Sequence, residues 1–414
     1  MNIDFYTILT LLIVLTATFS YINHRFIKLP SAIGIMLISL LTSLAVVAVG
    51  SFYPSLLNHS EKVIKSLDFE NALMRIMLSF LLFAGALHVD VHKLKKEITP
   101  IAVFSTLGIL ISTASIGTLM YFLFSIFSIK IAYIYCLLLG ALISPTDPIA
   151  VLGILRQAKI PSSLEIKITG ESLFNDGIGV VVFLSIYEVA RLGTENLSFL
   201  QVSLLFLREA GGGILFGVLL GYAGFYLLRS IDHYQVEVLI TIAMVMGGYL
   251  LASYLHISGP LTMVVAGIIT GNQGMEKAMS DITRDYLNKF WELIDEMLNA
   301  ILFILIGFEI LIISVNGDLL WISLIAIPVI LFARWLSVSI PIFLLSFKRA
   351  FEKNSIAILT WGGLRGGISV ALALSLPASM HKQEFLSITY TVVIFSIIVQ
   401  GLTIGKVARK LAKP

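Results

Sequence analysis

Long apolar segments recur along the whole chain and constrain its fold more than any other feature. A helix needs about 20 mostly apolar residues to cross the hydrocarbon layer of a bilayer. Only 13% of the 414 residues are charged and 58% are hydrophobic, whereas soluble domains carry about 25% charged residues. The sequence therefore excludes a water-soluble globule and predicts an all-α polytopic membrane protein of about thirteen spans. The segments lie at residues 5–23, 31–50, 72–89, 98–124, 131–155, 166–190, 204–228, 236–254, 258–272, 291–313, 319–345, 355–377 and 387–405.

The basic residues predict the orientation of these segments, because Lys and Arg are enriched in cytoplasmic loops. With the N-terminus outside, nineteen of the 28 basic residues fall in the inner loops or the C-terminal tail. Five fall on the outer side, namely Lys62, Lys65, Lys130, Arg191 and Lys382. This asymmetry predicts a multi-pass protein with an outer N-terminus and a cytoplasmic C-terminus.

The net charge and the cysteine content exclude other classes of partner and site. A formal charge of +3 is too small to indicate a nucleic-acid partner. The single cysteine, Cys136, cannot build a disulfide framework or a cysteine-based metal site.

Thirteen segments can be divided into six, one and six, which predicts an inverted repeat with segment seven as the connector. In such folds the binding site forms where discontinuous helices of the two halves meet, and Gly or Pro marks the breaks. Segment five contains SPTDPIAV and segment twelve contains WGGLRGGIS. We therefore expect segments 5 and 12 to be two discontinuous, crossing helices.

Four ionisable residues inside predicted spans stand out: Asp147, Glu171, Asp176 and Arg365. A charge in the hydrocarbon layer costs on the order of 3 kcal/mol, so a functional role is the first hypothesis for each. The prolines that flank Asp147 free backbone carbonyls. Together with the Thr146 hydroxyl, these carbonyls are oxygen ligands for a hard cation. Alternatively, Asp147 caps the half-helix that follows.

Segment six reads GESLFNDGIGVVVF and carries two polar stripes. Ser172 and Asp176 share one helix face, and Glu171 and Asn175 share another. We expect the first stripe to coordinate a cation. We expect Glu171 to pair with Arg365, in a structural rather than an ion-binding role. Asp176 then has no fixed positive partner and can hold either a proton or a metal cation.

Arg334 in segment eleven is expected to snorkel or to pair with Asp295 or Glu296. GESLFNDG lacks the second glycine of a nucleophile elbow, so hydrolysis has little support. No nucleotide-binding loop is present, which argues against direct ATP drive.

SPTDPIAV, GESLFNDG and WGGLRGGIS, in this order, resemble the bacterial sodium/proton antiporters of the monovalent cation:proton antiporter-1 family, as do KLPSAIGIMLISL, LLFAGALHVD and FILIGFEI. The resemblance implies a homodimer of thirteen-helix protomers in the plasma membrane. It divides the chain into scaffold helices 1–3 and 7–10, core helices 4–6 and 11–13, and a short cytoplasmic tail. The scaffold helices lie in residues 1–90 and 204–313, and the core helices lie in residues 98–191 and 319–408. The tail is residues 409–414.

The resemblance also assigns roles to residues. It implies that Asp176 is the ion-binding carboxylate, Ser172 a hydroxyl ligand and Asn175 the neighbouring amide. Thr146 and Asp147 correspond to the Thr-Asp of the unwound helix. Glu171 and Arg365 correspond to the structural pair. Na⁺ would bind Asp176, Ser172 and Thr146. An Asn-Asp pattern is similar to the electroneutral branch of the family. Many relatives carry an acidic residue where this chain has Ala84, so a ligand from segment three is missing here.

The sequence thus predicts a secondary antiporter, not an enzyme, that exchanges protons for Na⁺ by alternating access without a cofactor. Its partners would be monovalent cations, protons, lipid and a second copy of the chain. A K⁺-selective cation/proton antiporter, a proton-coupled symporter, a cation channel and a non-transporting sensor stay open as alternatives. Li⁺ transport and the physiological role, salt export or pH control, are also open.

Overall fold

The structure is a computed structural model, and the regular elements of its described residues are all helices. It describes residues 5–50, 52–53, 76–147, 155, 162–193, 199–275, 278–309, 317–349 and 351–411. Eight of the described helices are long and apolar enough to cross a membrane. The predicted all-α, multi-pass class is therefore confirmed, whereas the number of thirteen spans stays a prediction.

The helices follow the predicted segments in order, and each segment overlaps a described helix. Their bounds are α1 Phe5–Ile22, α2 Ser31–Gly50, α3 Leu78–Leu87, α4 Val91–Ile126, α5 Tyr133–Ile143, α6 Ser162–Leu192, α7 Phe199–Arg229, α8 Tyr234–Tyr254, α9 Gly259–Ile269, α10 Asp281–Glu309, α11 Gly317–Ser346, α12a Ser355–Trp361, α12b Gly367–Leu374 and α13 Lys382–Leu411.

Two of these segments are interrupted where the sequence predicts it. Helix α5 ends at Ile143, and residues 144–147 are not part of a helix. The remainder of segment five, apart from Leu155, lies outside the described residues, and so does the half-helix that Asp147 was expected to cap. Segment twelve is divided into α12a and α12b by residues 362–366. Both breaks expose backbone groups that need partners inside the protein, because lipid offers none.

The helices pack as two groups. In the first group, α5 packs on α4 and α6, α11 packs on α4 and α13, and α12b packs on α5 and α13. In the second group, α9 packs on α3, α7 and α8, and α10 packs on α1, α2 and α3. The groups meet where α6 contacts α7 and α9 and where α12b contacts α10. The interrupted segments belong to the first group, and one of them faces the second.

A charged network fastens the connection between α11 and α12a to the start of α6. The Lys167 side chain is 4% exposed, and its Nζ lies 3.1 Å from Oε2 of Glu352 and 3.7 Å from Oε2 of Glu97. The Ser163 hydroxyl donates a hydrogen bond to Glu352. Arg349 lies 3.7 Å from Glu97. These contacts fix the start of α6 relative to α4 and to the chain that leads into α12a.

The network predicts a pH-dependent contribution to stability. Burial raises the pKa of Glu352, but hydrogen bonds from Ser163 and Lys167 and the Lys167 charge outweigh burial and hold the pKa below its ordinary value of 4.5. A carboxylate whose pKa is lowered by folding stabilises the protein above its unfolded pKa, and this stabilisation is lost as the pH falls through the folded pKa. We expect Glu352→Gln to lower the thermal unfolding midpoint at neutral pH, and the difference from wild type to shrink below about pH 4.

The measurement is thermal unfolding of detergent-purified protein between neutral pH and about pH 3. Glu384→Gln is a matched control, because its side chain is 34% exposed against 28% for Glu352 and its contact with His381 is 3.9 Å long. A Glu352→Gln difference that stayed constant over the whole range would contradict a role for the ionised carboxylate.

Candidate cation site

The breaks of segments five and twelve meet at the centre of the first helix group. The backbone N–H of Asp147 donates a 2.8 Å hydrogen bond to the carbonyl of Leu364. This bond gives a partner to one backbone donor of the first break and to one backbone acceptor of the second. Gly366 makes this approach possible, because a Cβ at this position would overlap the Asp147 carboxylate. The predicted crossing therefore depends on a glycine for close approach, rather than for a special backbone conformation.

The guanidinium of Arg365 bonds to backbone carbonyls in the break of segment five. Its Nη1 donates to the carbonyls of Ser144 and Pro145, and the latter contact is 3.1 Å long. Its own backbone N–H donates to the Ser396 hydroxyl at 2.8 Å. The carbonyls freed at this break were expected to be cation ligands, but these two are bonded to a guanidinium. A metal cation beside them would be repelled by that fixed charge.

Thr146 is held against α6 by an amide and a hydroxyl. Its backbone N–H donates to Asn175 Oδ1 at 3.2 Å, and Asn175 Nδ2 donates to Thr146 Oγ1 at 2.8 Å. The Thr146 and Ser172 hydroxyls lie 3.1 Å apart, within hydrogen-bond distance. All three side chains are buried, and Thr146 is only 1% exposed. The structure thus brings together the hydroxyl groups that the sequence proposed as ligands, and it gives Asn175 the task of positioning one of them.

Asp176 and Asp147 line one cavity of about 80 Å³ beside this hydroxyl pair. Asp176 is 9% exposed. Thr146 also lines the cavity. Ser172 is not among the lining residues, but its hydroxyl lies within hydrogen-bond distance of the Thr146 hydroxyl. Among the described lining residues there is no Lys or Arg. The α3 wall is apolar, with Leu78, Leu81, Leu82 and Gly85, and the nearby Ala84 is buried.

The predicted ion pair of Glu171 with Arg365 is wrong. Glu171 instead forms a two-pronged ion pair with Arg334 of α11, in which Nη1 contacts Oε1 and Nη2 contacts Oε2 at 3.0 Å. Arg334 Nη2 also donates to the Leu359 carbonyl at 3.2 Å. A Cβ on Gly363 would overlap this guanidinium, so the glycine makes room for the pair. Arg334 therefore neither snorkels nor pairs with Asp295 or Glu296.

The roles of two residues of the site region, Arg334 and Asp295, were not predicted from the sequence. Arg334 lies near the middle of segment eleven. A basic residue this deep in a membrane span indicates a buried acidic partner, and Glu171 is that partner. Asp295 lines the cavity from α10, and the Asn299 amide donates to its Oδ1 at 3.1 Å. Asp295 and Asn299 are four residues apart and share a helix face, a pattern that could have indicated a positioned carboxylate.

Broken helices that meet around buried carboxylates are typical of secondary transporters. The overall structure is similar to that of the sodium proton antiporter MjNhaP1 from Methanocaldococcus jannaschii, with a TM-score of 0.76 over 98% of both chains at 21% sequence identity. At this identity the likeness shows a shared fold.

Sequence comparison establishes the family. The family model for the transmembrane sodium/hydrogen exchanger matches residues 12–410. The chain is 48% identical to the Na⁺/H⁺ antiporter NhaP of Pseudomonas aeruginosa over 408 residues, which covers 96% of this chain and 95% of the relative. It is 32% identical to the Na⁺/H⁺ antiporter NhaH of Halobacillus aidingensis, with 94% and 93% of the two chains covered. The chain therefore belongs to the sodium/hydrogen exchanger family, a family of transporters, as its motifs predicted.

Loss of either partner of the Glu171–Arg334 pair should destabilise the protein strongly. Removing one member of a buried pair leaves an uncompensated charge, at a cost of about 3–5 kcal/mol. We expect Glu171→Gln to lower the yield of monodisperse protein and its thermal unfolding midpoint. Glu188→Gln on the same helix is the control, because Glu188 forms only an exposed pair with Arg191 at 2.9 Å.

A double-mutant cycle checks the identity of the partner. Glu171→Gln should be strongly coupled to Arg334→Gln and weakly coupled to Arg365→Gln in the thermal unfolding midpoint. The reverse order would restore the pair predicted from the sequence and contradict the geometry described above.

Proposed function

We propose that the protein is a secondary active antiporter that exchanges protons for Na⁺ across the plasma membrane. The observation that carries this proposal is Asp176, a buried carboxylate in a cavity whose described lining includes hydroxyl groups and no basic side chain. The relatives named above are Na⁺/H⁺ antiporters, which supports the same cation.

Competition at Asp176 follows from the cost of burying a charge. A carboxylate removed from water without a partner is destabilised by several kcal/mol, so it binds a proton or a cation. Arg334 and Arg365 are engaged by Glu171 and by backbone carbonyls, and neither lines the cavity. Because either ligand brings one positive charge to one carboxylate, the exchange is electroneutral.

Na⁺ would bind the oxygen atoms of Asp176, Thr146 and Ser172. Carboxylate and hydroxyl oxygens are suitable ligands for a hard monovalent cation, and the Thr146 and Ser172 hydroxyls are already adjacent. Asp147 adds a second carboxylate to the same cavity. Asn175 is a positioning residue, since its amide fixes both the backbone and the hydroxyl of Thr146.

Alternating access would use the two helix groups as separate bodies. The first group corresponds to the core of residues 98–191 and 319–408 and carries the broken helices. The second corresponds to the scaffold of residues 1–90 and 204–313. Scaffold helices α7 and α8 expose large apolar side chains such as Leu215, Leu219 and Leu239, a surface suited to lipid and to a second protomer. The N-terminus would lie outside and the C-terminus, with tail 409–414, in the cytoplasm.

The test is a pH-dye assay in proteoliposomes. Wild-type protein should release protons from acid-loaded vesicles when Na⁺ is added outside, and Asp176→Asn should abolish this flux while the protein still folds. Glu188→Gln should retain full exchange, because it removes an exposed carboxylate from the same helix. Wild-type exchange by Asp176→Asn would reject the assignment.

The same assay separates the rival functions. Protons moving in the same direction as Na⁺ would identify a symporter, and Na⁺ current without proton movement would identify a channel. Repeating the assay with Li⁺ and K⁺ determines the cation preference.

A further inference from the structure

The cavity contains more negative charge than exchange at Asp176 requires. Asp147 and Asp176 come from the first helix group, and Asp295 comes from α10 of the second. No described lining residue is basic.

We propose that Asp295, Ser369 and Asp147 form a second binding position for a monovalent alkali cation, separate from Asp176. This position receives the cation before it reaches Asp176. The proposal rests on the antiporter function proposed above, and it adds a site on the boundary between the two helix groups.

Ser369 supplies the polar group that indicates a ligand. It is 1% exposed, lines the cavity, and its hydroxyl has no hydrogen-bond partner in the described part of the chain. Within a helix, a serine hydroxyl usually donates to the carbonyl four residues earlier. Helix α12b begins only at Gly367, so that carbonyl belongs to the break and is not placed for this bond. A buried hydroxyl without a partner is costly, and a cation in the cavity would provide the missing contact.

Asp295 supplies the charge from the opposite wall. The Asn299 amide donates to Oδ1 at 3.1 Å, which orients the carboxylate. Helix α10 packs on α12b, the helix that carries Ser369. The carboxylate and the hydroxyl therefore face one cavity from two packed helices.

The three carboxylates do not form a single metal site. In the described ranges, no three His, Cys, Asp or Glu side chains are placed to share one metal ion. Asp147 lines the same cavity as Asp176 and Asp295. Asp147 thus links two separate positions, one at Asp176 within the first group and one at Asp295 between the groups.

The second position depends on the packing of α10 on α12b. If the two groups move relative to each other during transport, Asp295 and Ser369 can share a cation only while α10 and α12b are packed as they are here. The second position then supplies Asp176 from one side of the membrane only. Removing it should raise the Na⁺ concentration needed for half-maximal exchange on that side, without changing the maximal rate.

The decisive measurement is equilibrium binding of ²²Na⁺ to purified protein that carries Asp176→Asn. We expect one Na⁺ to stay bound in this variant, and Asp176→Asn with Asp295→Asn to weaken binding about tenfold, as expected for loss of a nearby charge. Asp176→Asn with Glu296→Gln is the matched control. Glu296 is the next residue on the same helix, is exposed and lines a different cavity, so binding should be unchanged.

A second pair of variants tests the hydroxyl. In the Asp176→Asn background, Ser369→Ala should weaken Na⁺ binding several-fold. Ser387→Ala should have no effect, although Ser387 is also a buried serine whose hydroxyl has no partner within the described residues. Ser387 is not among the residues found to line the cavity.

Three results would overturn the second position. They are loss of all Na⁺ binding in Asp176→Asn, equal binding by the Asp295 and Glu296 double variants, and equal binding by the Ser369 and Ser387 variants. In the wild-type background, an unchanged half-maximal Na⁺ concentration on both sides in Asp295→Asn would also contradict it. Full exchange by Asp176→Asn would instead reject the proposed function, so the two failures can be distinguished.

Discussion

The fit between the two helix breaks is the constraint on which the site depends. Interrupting a helix inside a membrane leaves backbone groups without partners, and lipid cannot supply them. Here the Asp147 N–H bonds to the Leu364 carbonyl, and Arg365 bonds to the carbonyls of Ser144 and Pro145. Each break therefore stabilises the other, and Asp147 is positioned by contacts between the two breaks.

The two buried arginines, Arg334 and Arg365, contact groups outside the cavity. Because Arg334 neutralises Glu171, that carboxylate is held as part of an ion pair and is not placed in the cavity. Arg365 contacts backbone carbonyls of the segment that carries Asp147. The two arginines thus support the site from outside the cavity, which leaves Asp176 without a basic neighbour among the described lining residues. In the proposed exchange, a guanidinium inside the cavity would replace the positive charge that a proton or Na⁺ brings to Asp176.

Segment order, the two breaks and the family could be read from the sequence because each depends on local composition. Apolar length predicts a helix in lipid, and the Pro and Gly of SPTDPIAV and WGGLRGGIS mark where a helix is interrupted. The partner of Glu171 could not be obtained in this way. Arg334 and Arg365 are both buried, and choosing between them requires the packing of α11 against α12a, which Gly363 permits. Asp295 was missed for a related reason. It lies near the start of its predicted segment, and only the packing of α10 on the first group brings it to the cavity.

The position of Asp295 also changes the significance of Ala84. The family resemblance implies that an acidic ligand from segment three is missing in this chain, and the α3 wall of the cavity is indeed apolar. The second helix group still contributes a carboxylate, but from α10, where Asn299 orients it. A carboxylate on α3 and one on α10 would approach the cavity from different helices of the same group. The carboxylate that the second helix group brings to the cavity therefore lies on α10 rather than on α3.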